Sequence, residues 1–172
     1  IRLSLVGSEM CIRDRLALDR FKLPDKMRRK LLNGISRHGH RDQTKTKIKI
    51  RQLLGGKIYH PMFEGDDNWK DVRTWFENKL DMKVLDWWLI SYENGQGCKI
   101  HNHEKCDFSA IYYLKVGKDC GDLFFPYEDI RLKPKNNQFI IFNANMKHGV
   151  EPSIDNNVDR ICLAMNINDE PI

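Results

Sequence analysis

The chain has 172 residues, a formal net charge of +5, 41% hydrophobic and 31% charged residues. That is one domain's length, enough to bury a core without metal or disulfide staples. No stretch approaches the roughly 20 uninterrupted apolar residues of a membrane span, so a membrane-spanning helix, a collagen-like chain and a wholly disordered chain are excluded.

Five cysteines (Cys11, Cys98, Cys106, Cys120 and Cys162) at irregular spacing argue against a disulfide framework and for a reducing, cytoplasmic setting. The charge is uneven. Residues 1–60 hold 16 Lys and Arg against 5 Asp and Glu, and residues 61–172 hold 13 against 19. A basic flank reads first as a solvated surface, and second as a footprint for nucleic acid or another polyanion. The run from Ile1 to Arg15, IRLSLVGSEMCIRDR, resembles translated sequencing adapter of the kind found in metagenomic assemblies. It lacks the apolar core and cleavage site of a signal peptide. Residues 1–15 are therefore set apart as non-native, 16–83 as a helical and basic support region, and 84–172 as the core of one domain.

Pro24 suits the first turn of a helix running to about Asn33 and ended by Gly34, with Met27, Leu31, Leu32 and Ile35 on one face. His38 to Lys49 is polar and basic and reads as a loop or an edge. Asn68 to Met82 predicts a second helix, capped by Asn68, with Trp69, Val72, Trp75, Phe76 and Leu80 at the helical period. From Val84 the texture changes to short strands between turn signals. They are expected near 84–92, 98–102, 108–116, 122–126, 129–132, 138–142, 147–151 and 159–167. Such regular spacing indicates a sandwich or barrel: a mainly β chain with flanking helices, of the α+β class.

Three of the six histidines carry chemistry. His101 and His103 lie two apart, so on a strand both face the same side. Two imidazoles on one face can grip one cation. His148, after the apolar strand QFIIF, is the candidate third ligand, and Arg160 opens another apolar run. A charge there needs a partner, which a carboxylate ligand would supply.

The stretch from Tyr92 through Gly95 to His101-Asn102-His103 resembles the first metal strand of the 2-oxoglutarate- and Fe(II)-dependent oxygenases. The prolyl-hydroxylase-like branch, with Tyr-x-x-Gly, five residues, then His-x-Asp, is the nearest pattern. Ser109 to Leu114 is similar to that branch's tyrosine-tyrosine-leucine strand. Gly121 to Pro126 is similar to its glycine turn and phenylalanine strand. Phe139 to Phe142, His148, Pro152 and Arg160 complete the order.

The resemblance covers about Val84 to Asn166 and implies a double-stranded β-helix, the jelly-roll or cupin-like barrel. It further implies Fe(II) held by His101 and His148, with 2-oxoglutarate as cosubstrate and ascorbate as a further candidate cofactor. Arg160 and Tyr113 would hold the distal carboxylate of 2-oxoglutarate, and Tyr92 would lie near its metal-binding end. The implied reaction hydroxylates a C–H bond with release of succinate and CO2. Its substrate would be a peptidyl side chain, prolyl on the nearest branch, with a nucleobase methyl group or a small molecule as alternatives.

One position departs from the pattern: His103 stands where the family has Asp or Glu, so His103 is the expected third metal ligand and Asp107 the alternative. Two other functions stay open, a non-catalytic barrel with a three-histidine metal site and a polyanion-binding module on the same fold. Cys98, His101, His103 and Cys106 also spell C-x2-H-x-H-x2-C, which could be mistaken for a zinc site, although zinc pairs usually come as two separated knuckles. His38, His40 and His60 read as bland. Core packing is the expected role of most of Trp69, Trp75, Trp87 and Trp88, with base stacking as the alternative.

Overall fold

Side chains on a strand alternate between its two faces, and here both faces of one sheet are buried. The computed structural model describes residues 10–12, 15–38, 53–54, 57–59, 69–93, 95–153 and 160–172. In chain order the elements are β1 (Met10–Ile12), β2 (Leu16–Arg20), α1 (Asp25–His38), β3 (Leu53–Leu54), β4 (Lys57–Tyr59), α2 (Lys70–Leu80) and β5 (Lys83–Tyr92). There follow β6 (Gly97–His101), β7 (Phe108–Lys115), β8 (Leu123–Phe125), β9 (Ile130–Leu132), β10 (Gln138–Asn143), β11 (His148–Val150) and β12 (Arg160–Asn168). The larger sheet runs β1-β2-β10-β7-β12-β5-β4 and the smaller β3-β6-β11-β8-β9, with antiparallel pairing throughout.

Two cores lie on opposite faces of the larger sheet. Ile161, Leu163, Met165 and Ile167 of β12, with Trp87 and Leu89 of β5 and Tyr112 and Leu114 of β7, pack against Leu31 and Ile35 of α1 and Val72, Phe76 and Leu80 of α2. The residues between them, Cys162, Ala164, Ile90, Tyr92 and Tyr113, face the smaller sheet's Cys98, Leu123, Phe125 and Val150. One strand sequence thus serves two cores because its period is two. Mainly antiparallel sheets with helices on one outer face make this the expected double-stranded β-helix.

The eight strands expected from residue 84 onward all form, with ends within one residue. Three features differ from expectation. The helix begun after Pro24 does not stop at Gly34 but continues to His38. Gly34 and Ile35 are both buried, and packing outweighs glycine's helix penalty of about 1 kcal/mol. Residues 16–20, assigned to a helical region, form a strand paired with β10 along its whole length. Met10–Ile12, inside the segment set apart as non-native, pairs with Leu16–Leu18, and the Arg15 carbonyl accepts the Asn143 N–H at 2.9 Å. The loop expected at 38–49, His40, His60 and the cap Asn68 lie outside the described residues, as does the His38 side chain. Among the described residues no helix is long and apolar enough to cross a membrane.

Candidate functional site

Three imidazoles meet where the two sheets face each other. His101, ending β6, stands directly opposite His148, opening β11. His103 follows β6, its backbone N–H donating to the Ala144 carbonyl at 2.9 Å. Ring centroids are 4.3 Å apart for His101 and His148, 5.2 Å for His101 and His103, and 5.4 Å for His103 and His148. One ligand nitrogen of each ring lies within 4.8 Å of the others. Nitrogens sharing one ion at metal–nitrogen distances of about 2.0–2.1 Å sit roughly 3–4 Å apart, so small side-chain rotations bring the set to coordination distance.

The rings are prepared for a cation. Nδ1 of His101 faces the Lys99 carbonyl at 2.8 Å, and Nδ1 of His148 faces the Met146 carbonyl at 3.0 Å. A carbonyl only accepts, so each Nδ1 carries the proton and each Nε2 presents its lone pair. Burial pushes His148 down to about 3 and His103 to about 4, and lowers His101 as well. All three are therefore neutral near pH 7, the form that binds metal.

The alternative ligand Asp107 is exposed and turns away, accepting the Asp169 N–H at 3.0 Å. The four-residue zinc set does not assemble either. Cys98 Sγ lies 3.6 Å from Nδ1 of His101, while Cys106 sits beside Ser109 and Ile167. Among the described residues the grouping able to hold a metal is the three histidines alone.

A cavity of about 310 Å³ opens from the histidines into the space between the sheets. Its floor is β5, β12 and β7, whose pairing sets side chains in cross-strand rows. The first row is Tyr92 and Arg160; the second Ile90, Cys162 and Tyr113; the third Trp88, Ala164 and Ile111; the fourth Asp86, Asn166 and Ser109. Trp88 stands beside His103, with ring centroids 5.9 Å apart.

Arg160 is 1% exposed. Its Nη1 donates to the carbonyls of Cys120 at 2.6 Å and Gly121 at 2.9 Å, and its guanidinium carbon lies 4.4 Å from the Tyr92 ring centroid. Its Nη2 is buried without a hydrogen-bond partner. Among the described residues no carboxylate pairs with it. Tyr113 and Tyr92 line the same end, and burial raises both phenols, so both keep their protons and can donate. The contacts of Tyr92 are with Arg160 and with Cys98, which places it at the arginine end of the cavity.

Trp69, Trp75 and Trp87 join the helix-side core, while Trp88 faces the cavity. Arg160 is the cavity's only Lys or Arg among the described residues, so the cavity itself offers no basic track for a polyanion. Sequence reasoning did not single out Asp86, Asn166 and Ser109. Their signal was countable: Asn166 lies an even six residues from Arg160 on one strand, and so on the same face.

No family model matches the sequence, and no curated protein matches it as a relative. The fold has clear likenesses among solved structures. A prolyl hydroxylase from Trichoplax adhaerens, in complex with a hypoxia inducible factor oxygen degradation domain peptide fragment, matches at TM-score 0.66 and 14% identity, over 91% of this chain and 85% of that one. The viral collagen prolyl hydroxylase of Paramecium Bursaria Chlorella virus-1, in its 2-oxoglutarate complex, matches at TM-score 0.58 and 17% identity, over 87% and 94%. A Pseudomonas putida prolyl-4-hydroxylase matches at TM-score 0.58 and 16% identity, over 90% and 93%. At these identities the likeness establishes architecture: the chain has the double-stranded β-helix fold of 2-oxoglutarate-dependent prolyl hydroxylases, with three histidines placed to hold a metal.

Proposed function

We propose that the chain is an Fe(II)- and 2-oxoglutarate-dependent oxygenase that hydroxylates a C–H bond of its substrate. The observation that carries this reading is the orphaned Nη2 of Arg160, in the same cavity as the three histidines. A guanidinium stays protonated, and a buried, unanswered charge costs several kcal/mol. A ligand carboxylate answers it, and the cavity's other end offers three neutral nitrogens to a metal. The residues therefore fit both groups.

His101, His103 and His148 would hold the iron, with the Lys99 and Met146 carbonyls fixing the orientation of the first and last. Arg160 and Tyr113 would anchor the distal carboxylate of 2-oxoglutarate, and Tyr92 stacks against the guanidinium that does so. When bound, the iron and its cosubstrate supply the oxygen chemistry, in which decarboxylation to succinate drives hydroxylation. Apart from the Tyr113 hydroxyl, the second and third rows make the middle of the floor mostly apolar.

Arg160→Ala should weaken 2-oxoglutarate binding by roughly 30-fold or more, since losing one partner of a buried charge pair costs about 2–5 kcal/mol. Iron affinity should stay nearly intact. Calorimetric titration of 2-oxoglutarate into the iron-loaded variant and parent decides it; equal dissociation constants would make Arg160 a structural residue.

A second reading, a three-histidine metal barrel without oxygenase activity, is favoured by one observation: among the described residues no carboxylate joins the metal grouping. Fe(II)-dependent succinate formation from 2-oxoglutarate, with and without ascorbate, separates the two. Metal binding with no succinate would establish the second.

A further inference from the structure

Along β6 the pairing slips by one residue. Against β11, Cys98 stands opposite Val150 and His101 opposite His148, a step of three residues on one strand for two on the other. That is a β-bulge, a device that re-aims side chains. On a regular strand Cys98 and His101, an odd three apart, would point to opposite faces. Here two successive side chains, Lys99 and Ile100, are both exposed, and Cys98 and His101 both line the cavity.

The bulge makes Cys98 a junction. Its Sγ lies 3.6 Å from Nδ1 of His101, which also faces the Lys99 carbonyl at 2.8 Å. The one Nδ1–H therefore has a near acceptor and a second, weaker one, a three-centre arrangement. The same sulfur accepts the Tyr92 O–H. Tyr92 in turn lays its ring against Arg160, with 4.4 Å between the ring centroid and the guanidinium carbon. One thiol thus links the imidazole at the metal end to the ring that flanks the carboxylate end.

Packing alone does not call for a thiol at this position. Cys98 is 7% exposed and sits in the inter-sheet core with Leu123, Phe125 and Val150, where an aliphatic side chain of similar size would serve. Tyr92 is 3% exposed. Without the sulfur its hydroxyl loses a partner in a place where water does not replace it, so the ring turns to find another and leaves the guanidinium.

We propose that Cys98 is a positioning residue: by hydrogen bonds to its sulfur it holds Tyr92 over Arg160 and orients the His101 ring, so that one side chain sets both ends of the site. This rests on the oxygenase reading for the 2-oxoglutarate end, while the metal end is measured separately.

The test compares side chains of matched size with and without a hydroxyl, Cys98→Thr against Cys98→Val and Cys98→Ser against Cys98→Ala, each in the full chain. Calorimetry follows 2-oxoglutarate titrated into Fe(II)-loaded protein under argon. Visible absorption follows Co(II) titrated into metal-free protein without 2-oxoglutarate, and a thermal melt accompanies both. Val and Ala should weaken 2-oxoglutarate binding roughly fivefold or more and Co(II) binding about threefold, whereas Thr and Ser keep both within about twofold of the parent, as expected for the loss or retention of one hydrogen bond. A packing role gives the opposite order, because a hydroxyl is the worse fit to an apolar core. Equal binding within each pair, or Val and Ala binding better than Thr and Ser, overturns the proposal. Where the melt shows that one pair does not fold, the other pair decides. A parent that binds Co(II) but not 2-oxoglutarate would instead overturn the oxygenase reading, and the order of Co(II) affinities would still decide this one. A parent that binds neither overturns both.

Discussion

His103 would set the electrostatics of the proposed metal centre. In the 2-His-1-carboxylate arrangement one ligand is an anion; here all three are neutral, so a bound divalent ion would keep one more unit of positive charge. His103→Asp therefore adds a charged ligand whose own burial is offset by the cation. Fe(II) affinity should hold or rise, whereas His101→Ala should lose iron by 100-fold or more, as expected when one of three ligands goes. Iron titration with a chromogenic competitor reads both, and an Ala variant that binds like the parent would mean that the ligands are elsewhere.

The thiols behave in the opposite sense from the imidazoles, because burial disfavours the charged form of each. Cys98 is pushed up to about 11 and Cys162 to about 12. Both sit near the Arg160 guanidinium, which only partly offsets their burial. The thiolate is the reactive form, and a raised acid constant leaves little of it at pH 8. Iodoacetamide at pH 8 should label half-buried Cys106 ahead of the buried Cys98, Cys120 and Cys162, and labelling of Cys98 should rise about tenfold per pH unit until it approaches pH 11. Rapid modification of Cys98 in folded protein at pH 8 would contradict its burial. At this scale the histidines were legible because chemistry and spacing coincide in the sequence. The acceptors Ser109 and Asn166 were not, because a polar residue on a strand reads as solvent-facing until register shows which face it is on.

Among the elements, legibility followed contact range. The strands after residue 84 announce themselves by local alternation and by turns such as Gly95 at φ 69. β2 does not. Its five residues alternate weakly, and only pairing with β10, some 120 residues away in sequence, makes it a strand. α1 overran its expected glycine stop for a related reason, since Gly34 and Ile35 are held by tertiary packing rather than by propensity. The consequence is that β2 belongs to the barrel. Leu16 is 3% exposed and packs in the inter-sheet core with Ile140 and Phe142. Leu16→Ala should destabilise the fold by about 2–4 kcal/mol, read as a lower denaturant midpoint at unchanged slope. A change under about 0.5 kcal/mol would show that Leu16 contributes little to the barrel core.

At the scale of the whole molecule, the site depends on how the two sheets are joined beside Arg160. Arg160 belongs to the larger sheet, yet the carbonyls that hold its Nη1 come from Cys120 and Gly121, just before β8 of the smaller one. Gly121 has φ +71, a conformation that costs a non-glycine residue roughly 1 kcal/mol or more. A Cβ there would lie 2.1 Å from the Glu151 carbonyl oxygen and 2.9 Å from that of Pro152. Those are backbone atoms, immediately after the β11 strand that begins with His148. The neighbouring Glu151 N–H donates to the Asp122 carbonyl at 2.9 Å, so the two segments are bonded as well as in contact. The proposed anchor for a carboxylate and the strand of a proposed metal ligand thus share one close backbone approach. Gly121→Ala must push the segments apart, moving a carbonyl that holds Arg160 and straining the exit of β11. The expected result is a lower melting temperature and 2-oxoglutarate binding weakened roughly tenfold, with iron affinity less affected because His101 and His103 are carried by other segments. Calorimetry with 2-oxoglutarate on the iron-loaded variant, beside a thermal melt, measures both. A variant that melts and binds like the parent would show that this junction does not position Arg160.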